Sequence, residues 1–216
     1  EAYRLCTRLS ERAARAGAVN TLVFNGGEIF GDNTDGAGLV RDITVNLRRS
    51  LAGQRILLLG AGGAARGVIA PLLAAQPASL LIANRSADKA AALAKSFLDI
   101  AATTETTVGP RVNAGNFAET AGKSFDIVIN ATSASLSGES LPLPSGIFAA
   151  GSLAYDMMYG RGDTPFMVLA RQQGAAHCAD GLGMLVEQAA EAFFIWRGVR
   201  PETTAVLAEL RTALSA

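Results

Sequence analysis

The stretch Arg55-Ile-Leu-Leu-Leu-Gly-Ala-Gly-Gly-Ala-Ala-Arg66 decides the fold of this chain. Its apolar run, Ile56 to Leu59, is typical of a buried strand and breaks into Gly60, Gly62 and Gly63 before a helical pattern begins. A strand, a tight glycine turn and the start of a helix therefore follow one another. Backbone N–H groups at such a helix N-terminus bind phosphate, and the helix dipole favours its negative charge. The stretch predicts a nucleotide-binding turn.

The glycine turn also fits the dinucleotide pattern G-x-G-x-x-A through Gly60, Gly62 and Ala65. In that pattern the glycines permit a tight turn and let the backbone approach the pyrophosphate. A purely structural turn between a strand and a helix is the alternative interpretation. The position of the motif, directly after a strand and directly before a helix, favours the dinucleotide site.

The end of the next strand indicates which dinucleotide is bound. Enzymes that use NAD usually place Asp or Glu there to accept hydrogen bonds from the ribose hydroxyls, whereas here Leu80–Ala83 ends in Asn84-Arg85-Ser86. The planar guanidinium of Arg85 can pair with a 2′-phosphate, and Lys89 follows one helical turn later. Ser86 can cap the next helix or donate to the phosphate. We therefore expect NADP rather than NAD, with a solvated surface charge at Arg85 as the alternative.

Strand and helix patterns alternate along the middle of the chain. Strands are predicted at 56–59, 79–83, 126–130, 152–156 and, as a short one, near 175–178. Helices are predicted at 64–75, 87–98 and 165–173, and one short strand amid loop at 100–117. Such alternation predicts an α/β fold, a Rossmann-type doubly wound parallel sheet with helices on both faces.

The two ends of the chain follow other patterns. The predicted elements are an amphipathic helix over 2–16, strands over 18–24 and 28–30 around the turn Asn25-Gly26-Gly27, a helix over roughly 36–48, a helix from 181 to about 197, and a last helix from Pro201. We interpret 1–35 as the C-terminal remnant of an α/β substrate-binding domain. Residues 36–180 form the expected NADP-binding domain, and 181–216 the expected C-terminal helices that return to the substrate domain.

Composition excludes several classes of protein. Half of the 216 residues are hydrophobic, which is enough for a substantial core, and the formal net charge is zero. A neutral chain argues against nucleic acid or an anionic membrane as the main partner. No apolar run approaches the roughly 20 residues that span a bilayer, and the first residues lack a signal-peptide layout. Cys6 and Cys178 have no metal-ligand partner nearby in sequence, so we expect free thiols in a reducing cytoplasm and no metal site.

Polar residues outside the glycine turn are candidates for chemistry. The loop Gly31-Asp-Asn-Thr-Asp-Gly36 carries two carboxylates, although an Asx-turn that leads into a helix cap is an equally good interpretation. Asn20 interrupts an otherwise apolar strand and could equally occupy an edge position. His177, the only histidine, has no evident partner carboxylate, and we expect no catalytic role for it.

Taken together, these motifs resemble those of the shikimate dehydrogenase family. They occur in the family's order and with similar spacing over essentially the whole chain, so the ordered set is specific although each motif alone is weak. The motifs are Gly17-Ala-Val-Asn-Thr21, Gly31-Asp-Asn-Thr-Asp-Gly36, Gly60-Ala-Gly-Gly-Ala64, Asn84-Arg85-Ser86, Asn130-Ala-Thr-Ser133, Tyr155-Asp-Met157 with Tyr159, Thr164-Pro-Phe166, and Ala179-Asp-Gly-Leu-Gly-Met-Leu185 with Gln188.

The resemblance implies an oxidoreductase that reduces 3-dehydroshikimate to shikimate with NADPH, in aromatic amino-acid biosynthesis. It implies substrate contacts from Asn20, Asp35, Tyr159 and Gln188, with Asp35 as one half of a catalytic pair. The implied NADP site consists of Gly60, Ala61, Gly62, Gly63, Ala64, Asn84, Arg85, Ser86 and Lys89, with Met157 and Gly181 near the nicotinamide. Where many relatives carry Arg, Lys89 keeps the charge without the bidentate fork, so we expect a weaker 2′-phosphate preference from that position.

The resemblance further implies a lysine that pairs with the aspartate and donates a proton to the carbonyl oxygen. Its position falls just before Glu1, and the three lysines of the chain, Lys89, Lys95 and Lys123, lie in the nucleotide-binding half. We therefore expect the chain to be the C-terminal portion of such an enzyme and inactive alone, with a homodimer as one option for its assembly. The alternatives are a non-catalytic NADP-binding module and a quinate/shikimate dehydrogenase paralogue.

Overall fold

A computed structural model describes residues 1–98, 111–134 and 141–215 of the chain. A small sheet in the order β1-β3-β2 contains the strands β1 (Arg8–Leu9), β2 (Thr21–Asn25) and β3 (Glu28–Asp32). The main sheet contains β4 (Arg55–Leu59), β5 (Ser79–Ala83), β6 (Arg111–Gly115), β7 (Phe125–Asn130), β8 (Phe148–Asp156) and β9 (His177–Ala179). These six strands pair in parallel in the order β6-β5-β4-β7-β8-β9. The strand order reverses beside β4, which confirms the predicted doubly wound Rossmann-type sheet.

The helices of the described residues connect these strands. They are α1 (Ala2–Leu5), α2 (Glu11–Ala16), α3 (Asp35–Arg41), α4 (Gly63–Ala74), α5 (Ala87–Lys95), α6 (Pro165–Gln172), α7 (Leu182–Arg197) and α8 (Thr204–Ser215). A π-helical turn (Asp42–Asn46) follows α3, and a 3₁₀ turn (Ala118–Thr120) precedes β7. Within this part of the chain, no helix has both the length and the apolar character that crossing a membrane requires.

The first strand of the main sheet shows why the apolar run becomes its centre. Ile56 and Leu58 pack in one core cluster, whose members include residues of α4 and α5. Leu57 and Leu59 pack in a second cluster, whose members include residues of α6. Successive side chains of a strand point to opposite faces, so a parallel strand that is covered on both faces must be apolar throughout.

The predicted amphipathic helix over 2–16 is wrong, because the structure divides this segment into α1, β1 and α2. Cys6 adopts an extended conformation with φ −68° and ψ 128°, which ends the first helix. Arg8 and Leu9 then pair in parallel with β3. The side chain of Ser10 accepts a hydrogen bond from the backbone N–H of Ala13 and so caps α2. Strand pairing, which is a tertiary contact, overrides the helical periodicity here.

Other predicted elements exist with altered bounds. The strand expected over 18–24 lies at 21–25, so Asn20 precedes it rather than interrupting it. The helix expected over 36–48 is α-helical only to Arg41, after which the N–H of Leu47 donates to the carbonyl of Asp42 at 2.9 Å and closes the wider π turn. The last helix begins at Thr204 rather than at Pro201. Of the segment 100–117, the part up to 110 lies outside the described residues, and the rest contains β6.

Helices α3 and α7 pack closely, and glycines make this approach possible. A Cβ at Gly38 of α3 would lie 2.7 Å from the backbone nitrogen of Gln188 and 2.8 Å from the backbone oxygen of Met184, both on α7. A Cβ at Gly183 of α7 would collide with the carboxylate of Asp42. The two helices therefore approach so closely that neither glycine could carry a side chain without a collision.

A buried polar network ties this helix pair to the main sheet. The hydroxyl of Tyr155, on β8, donates to Asp42 Oδ2 at 2.6 Å, and Asn46 Nδ2 donates to Asp42 Oδ1 at 2.8 Å. The carboxylate of Glu187, on α7, accepts from Asn46 at 3.2 Å and from the hydroxyl of Thr203 at 2.6 Å. A buried charge is stable only with such partners, so the network holds α3, α7 and β8 in one arrangement.

We expect Gly38→Ala to destabilise the protein. Overpacking a well-filled interior costs about 1–3 kcal/mol, which outweighs the roughly 1 kcal/mol that alanine gains over glycine in a helix. Backbone atoms of α7 surround the new methyl group, so they cannot yield without moving the helix. Urea unfolding measures the loss.

Gly63→Ala is the matched control, because a Cβ at this position of α4 meets nothing within 4 Å. Its free energy of unfolding should equal that of wild type or exceed it by up to about 1 kcal/mol. Equal stability of the two variants would contradict the close packing of α3 on α7.

Candidate active site

Three distant segments bring amide and carboxylate side chains into one cluster. Asn20 Nδ2 donates to Asp35 Oδ1 at 2.7 Å and to Gln188 Oε1 at 3.3 Å. Asn20 lies just before β2, Asp35 is the first residue of α3, and Gln188 lies on α7. The structure therefore joins three of the four residues that the resemblance implied as substrate contacts. The fourth, Tyr159, lies beyond the end of β8 and is 44% exposed.

Thr34, which the sequence analysis did not single out, completes the cluster. Its backbone N–H donates to Asn20 Oδ1 at 3.0 Å. Its buried hydroxyl lies 3.0 Å from Asn20 Oδ1 and 3.1 Å from Gln188 Oε1. Thr34 stands between the two carboxylates of the quoted loop, so that loop carried the signal. Because a hydroxyl has one proton, it donates to one of these two amide oxygens at a time, while the backbone N–H of Thr34 holds Asn20.

The loop before α3 holds its shape through Asp32, the other carboxylate. Asp32 accepts two hydrogen bonds from Arg12 at 2.7 Å and one from the backbone N–H of Asn33 at 2.7 Å. Burial alone would raise the pKa of Asp32, but the hydrogen bonds from Arg12 and Ser10 outweigh it and the pKa is lowered. Asp32 is therefore a structural anion, and Arg12 connects it to Glu191 of α7 at 3.1 Å.

Asp35 has the opposite electrostatic character. Burial raises its pKa above the ordinary aspartate value, although hydrogen bonds from Asn20 and Asn33 oppose the shift. The backbone N–H of Asp35 in turn donates to Asn33 Oδ1 at 3.2 Å. A carboxylate that protonates more readily than usual, and whose neighbours fix its position, is suited to proton exchange with a bound ligand.

A cleft of about 510 Å³ opens at the carboxyl edge of the main sheet, where the strand order reverses. Of the residues implied for NADP, those that line it are Gly60, Ala61, Gly62, Gly63, Ala64, Asn84 and Arg85. Ligands of doubly wound folds bind at this switch point. The cleft therefore lies where a dinucleotide is expected to bind, and the wall that the glycine turn forms contains the residues that the resemblance implied.

The glycine turn fits a pyrophosphate. Gly60 has φ 111°, and a Cβ there would lie 3.0 Å from the carbonyl oxygen of Ala131, so this position requires glycine. A Cβ at Gly62 or Gly63 would meet nothing within 4 Å. The space above the N-terminus of α4 is therefore open to a phosphate, whose negative charge the helix end favours.

The remaining residues implied for NADP lie at the borders of the cleft. Ser86 precedes α5 but its side chain makes no capping hydrogen bond, so of its two possible roles capping is wrong and donation to the phosphate stays a prediction. Its carbonyl accepts from Asn84 Nδ2 at 3.1 Å. Lys89 is exposed on the first turn of α5. Met157 is buried and its neighbour Met158 lines the cleft instead. The N–H of Gly181 donates to the carbonyl of Met158 at 3.0 Å, which brings the start of α7 against the end of β8.

The far wall of the cleft was not predicted residue by residue. It consists of Phe117, Ala131, Thr132, Ser133, Ala134, Leu141, Pro142 and Met158. Most of these residues follow the carboxyl ends of β6, β7 and β8. Parallel strands end at one edge of a sheet, so segments after strand ends are the signal that could have found them. The motif Asn130-Ala-Thr-Ser133 already contained three of them.

Comparison with known proteins identifies the family. Residues 42–137 match the model of shikimate/quinate 5-dehydrogenase, and residues 181–211 match that of the shikimate 5′-dehydrogenase C-terminal domain. Shikimate dehydrogenase (NADP(+)) of Dechloromonas aromatica is 77% identical over all of this chain and 76% of its own length. The chain belongs to the shikimate dehydrogenase family. The corresponding enzyme of Aromatoleum aromaticum is 62% identical over 99% of this chain and 75% of its own length.

Solved structures of similar proteins have the same fold. The Ael1 enzyme from Pseudomonas putida is 50% identical, with a TM-score of 0.88 over all of this chain and 74% of its own. Shikimate 5-dehydrogenase from Thermus thermophilus, solved in complex with NADP(H) and shikimate, is 31% identical, with a TM-score of 0.78 over 97% of this chain and 73% of its own. These matches confirm the family and the fold that the motifs predicted, while the roles of individual residues stay predictions.

Replacing Asp35 should change how stability depends on pH. Because burial raises its pKa, the stability that the protonated group contributes is present below the ordinary aspartate value of 3.8 and is lost as the pH rises through the raised pKa. Asparagine does not titrate, so the stability of wild type relative to Asp35→Asn should fall as the pH rises from the ordinary aspartate value towards neutrality. Thermal unfolding at several pH values measures the difference.

Asp88→Asn removes an exposed carboxylate from the first turn of α5 and controls for the loss of one charge. A stability difference between wild type and Asp35→Asn that stays constant over this pH range would contradict the raised pKa.

Proposed function

We propose that the chain binds NADP in the cleft and binds shikimate or 3-dehydroshikimate at the cluster of Asn20, Asp35 and Gln188. One observation carries this proposal: the cluster lies against the helix that starts at the cofactor cleft. Asp35 Oδ2 lies 3.6 Å from the Cβ position of Gly67, one turn along α4 from Gly63. A cofactor on the glycine turn and a polyhydroxy substrate on the cluster would therefore be neighbours.

The chemistry of the cluster suits a cyclic substrate with several hydroxyl groups. The amides of Asn20 and Gln188 each offer donors and an acceptor, and the carboxylate of Asp35 accepts hydrogen bonds. NADPH, when bound, supplies the hydride that reduces a carbonyl carbon. Asp35 holds a proton near the carbonyl oxygen, where charge develops as the hydride arrives. In the physiological direction the proposed reaction is the reduction of 3-dehydroshikimate to shikimate.

We also propose that these 216 residues alone bind NADP without turning over substrate. The lysine that would share the proton with Asp35 has no match among Lys89, Lys95 and Lys123. Lys89 lies on α5 and Lys123 just before β7, both within the nucleotide-binding part of the fold. The second candidate function is a module that binds NADP for another purpose. The same observation, that none of the three lysines matches the proton-donating position, favours it.

The proposed division into segments 1–35, 36–180 and 181–216 has support from contacts of the last segment. The indole N–H of Trp196, near the end of α7, donates to the carbonyl of Leu22 on β2 at 2.9 Å. Gln188 of the same helix joins Asn20, as described above. The last segment thus returns to the first, as proposed for helices that complete a substrate domain.

Arg85→Ala should weaken NADP binding while leaving NAD binding nearly unchanged. Hydrogen bonds to a charged group contribute about 1.5–3 kcal/mol, so we expect a loss of roughly 10- to 100-fold for NADP. Titration calorimetry of both cofactors measures the ratio. Arg111 is exposed at the amino end of β6, whereas Arg85 follows the carboxyl end of the neighbouring β5, so Arg111→Ala should leave both affinities unchanged. An equal loss of both cofactors in Arg85→Ala would contradict a 2′-phosphate contact.

The full-length protein should oxidise shikimate with NADP, and Asp35→Asn should slow it. Removing a positioned acid–base group typically costs about 10²–10⁴-fold in turnover. Absorbance of the NADPH formed measures the rate, and binding of NADP to the same variant shows that the cofactor site is intact. Near-normal turnover of Asp35→Asn would show that Asp35 has only a structural role in the turn before α3. NADP binding without any shikimate oxidation by the full-length wild type would favour the non-catalytic module.

A further inference from the structure

Asp156 is a fully buried carboxylate that the proposed chemistry does not use. It is the last residue of β8 and is 0% exposed. A buried charge of this kind is expensive unless it is surrounded by hydrogen-bond donors. The hydrogen-bond donors around Asp156 therefore indicate its structural role.

The donors around Asp156 come from two strand ends and one helix start. Asn130 Nδ2 donates to Asp156 Oδ1 at 3.0 Å, and the backbone N–H of Met158 donates to the same oxygen at 3.1 Å. The hydroxyl of Thr164 donates to Asp156 Oδ2 at 2.6 Å and caps α6 by accepting from Met167. Asn130 and Asp156 are paired in the register of β7 and β8, so their side chains share one face of the sheet.

The contacts continue from Asp156 to the wall of the cleft. Asn130 Oδ1, on the amide that Asp156 orients, accepts from the backbone N–H of Thr132 at 3.0 Å and from its hydroxyl at 2.7 Å. Thr132 and Met158 both line the cleft. The carboxylate of Asp156 thus fixes the backbone position of two residues in the wall, Thr132 after β7 and Met158 after β8.

These two points lie on the opposite side of the switch point from Arg85. Arg85 follows β5, on one side of β4, whereas Thr132 and Met158 follow strands on the other side. A dinucleotide lies across such a crevice with its two halves on the two sides. If the 2′-phosphate is at Arg85, the nicotinamide half faces Thr132 and Met158. The carbonyl of Met158 also receives the N–H of Gly181, at the start of the helix that carries Gln188.

We propose that Asp156 is a positioning residue for the nicotinamide half of the cofactor. Through Asn130 and through the backbone of Met158, it fixes the wall against which the nicotinamide rests, and it does not touch the cofactor itself. This inference rests on the proposed NADP function. It concerns only one half of the cofactor, whereas the adenosine half is held by the glycine turn and Arg85.

Comparing the binding of two ligands distinguishes effects on the two halves of the cofactor site. NADPH occupies both, whereas 2′,5′-ADP carries the adenosine and the 2′-phosphate but no nicotinamide. Asp156→Ala removes the acceptor of Asn130, Met158 and Thr164. We therefore expect NADPH binding to weaken about tenfold and 2′,5′-ADP binding to stay within about twofold. The nicotinamide fluorescence of bound NADPH, at saturation, should revert towards that of the free cofactor. Calorimetry and fluorescence on the same protein measure these effects.

Asp156→Asn is the matched conservative variant. Its carbonyl oxygen can still accept from Asn130 and Met158, while its amide can turn towards the hydroxyl of Thr164. It should therefore keep the NADPH fluorescence and an affinity within about threefold of wild type. Thr164→Val, which removes only the donor to Oδ2 and the cap of α6, should lower stability and leave the ratio of the two affinities unchanged.

Where Asp156→Ala does not fold, as judged by circular dichroism, Asn130→Ala tests the same connection, because it separates Thr132 from Asp156. It should show the same selective loss of NADPH. A parallel loss of both ligands, or unchanged nicotinamide fluorescence in the folded variant, would make Asp156 a structural residue and overturn the inference alone. Wild type that binds neither ligand would overturn the proposed function, and this inference with it.

Discussion

The contact between the backbones of α3 and α7 is the constraint on which the rest of the structure depends. Neither Gly38 nor Gly183 could carry a side chain at this contact without a collision. The carboxylate of Asp42 fills the remaining space and reaches Tyr155 of the main sheet at 2.6 Å. Because α3 begins at Asp35, a shift of this helix pair would move the cluster relative to the cofactor cleft.

The candidate active site is therefore a consequence of packing between segments that are far apart in sequence. Asn20 Nδ2 meets Gln188 Oε1 at 3.3 Å although the two residues lie 168 positions apart. Thr34 and the loop anchored by Asp32 orient both side chains. The hydrogen bonds that define the cluster are individually modest, about 1 kcal/mol each. Their geometry is maintained by the partly buried ion pairs of Arg12 and by the glycine contacts behind them.

The cofactor cleft depends on a different principle, the shared edge at which parallel strands end. The glycine turn supplies one wall directly from local sequence. The other wall needs the strand register that pairs Asn130 with Asp156. The buried carboxylate of Asp156 accepts hydrogen bonds from Asn130 and from the backbone of Met158, and Asn130 in turn holds Thr132. These contacts fix the positions of Thr132 and Met158 relative to the paired strands. The two walls thus have separate physical origins, and substitutions should affect the two halves of a bound dinucleotide separately.

The sequence by itself determined the fold class, the glycine turn, the absence of an acid after β5 and the family. Each of these depends on residues that are adjacent in the chain, where local conformational preference and apolar periodicity decide the outcome. Only the tertiary structure decided that residues 2–16 are not one helix, because pairing of Arg8 and Leu9 with β3 outweighs helical periodicity. It also decided that Thr34 joins Asn20 and Gln188, and that Asp156 lies behind the cleft. Hydrogen bonds across long sequence separations leave no periodic pattern, since only the packed fold brings their partners within reach.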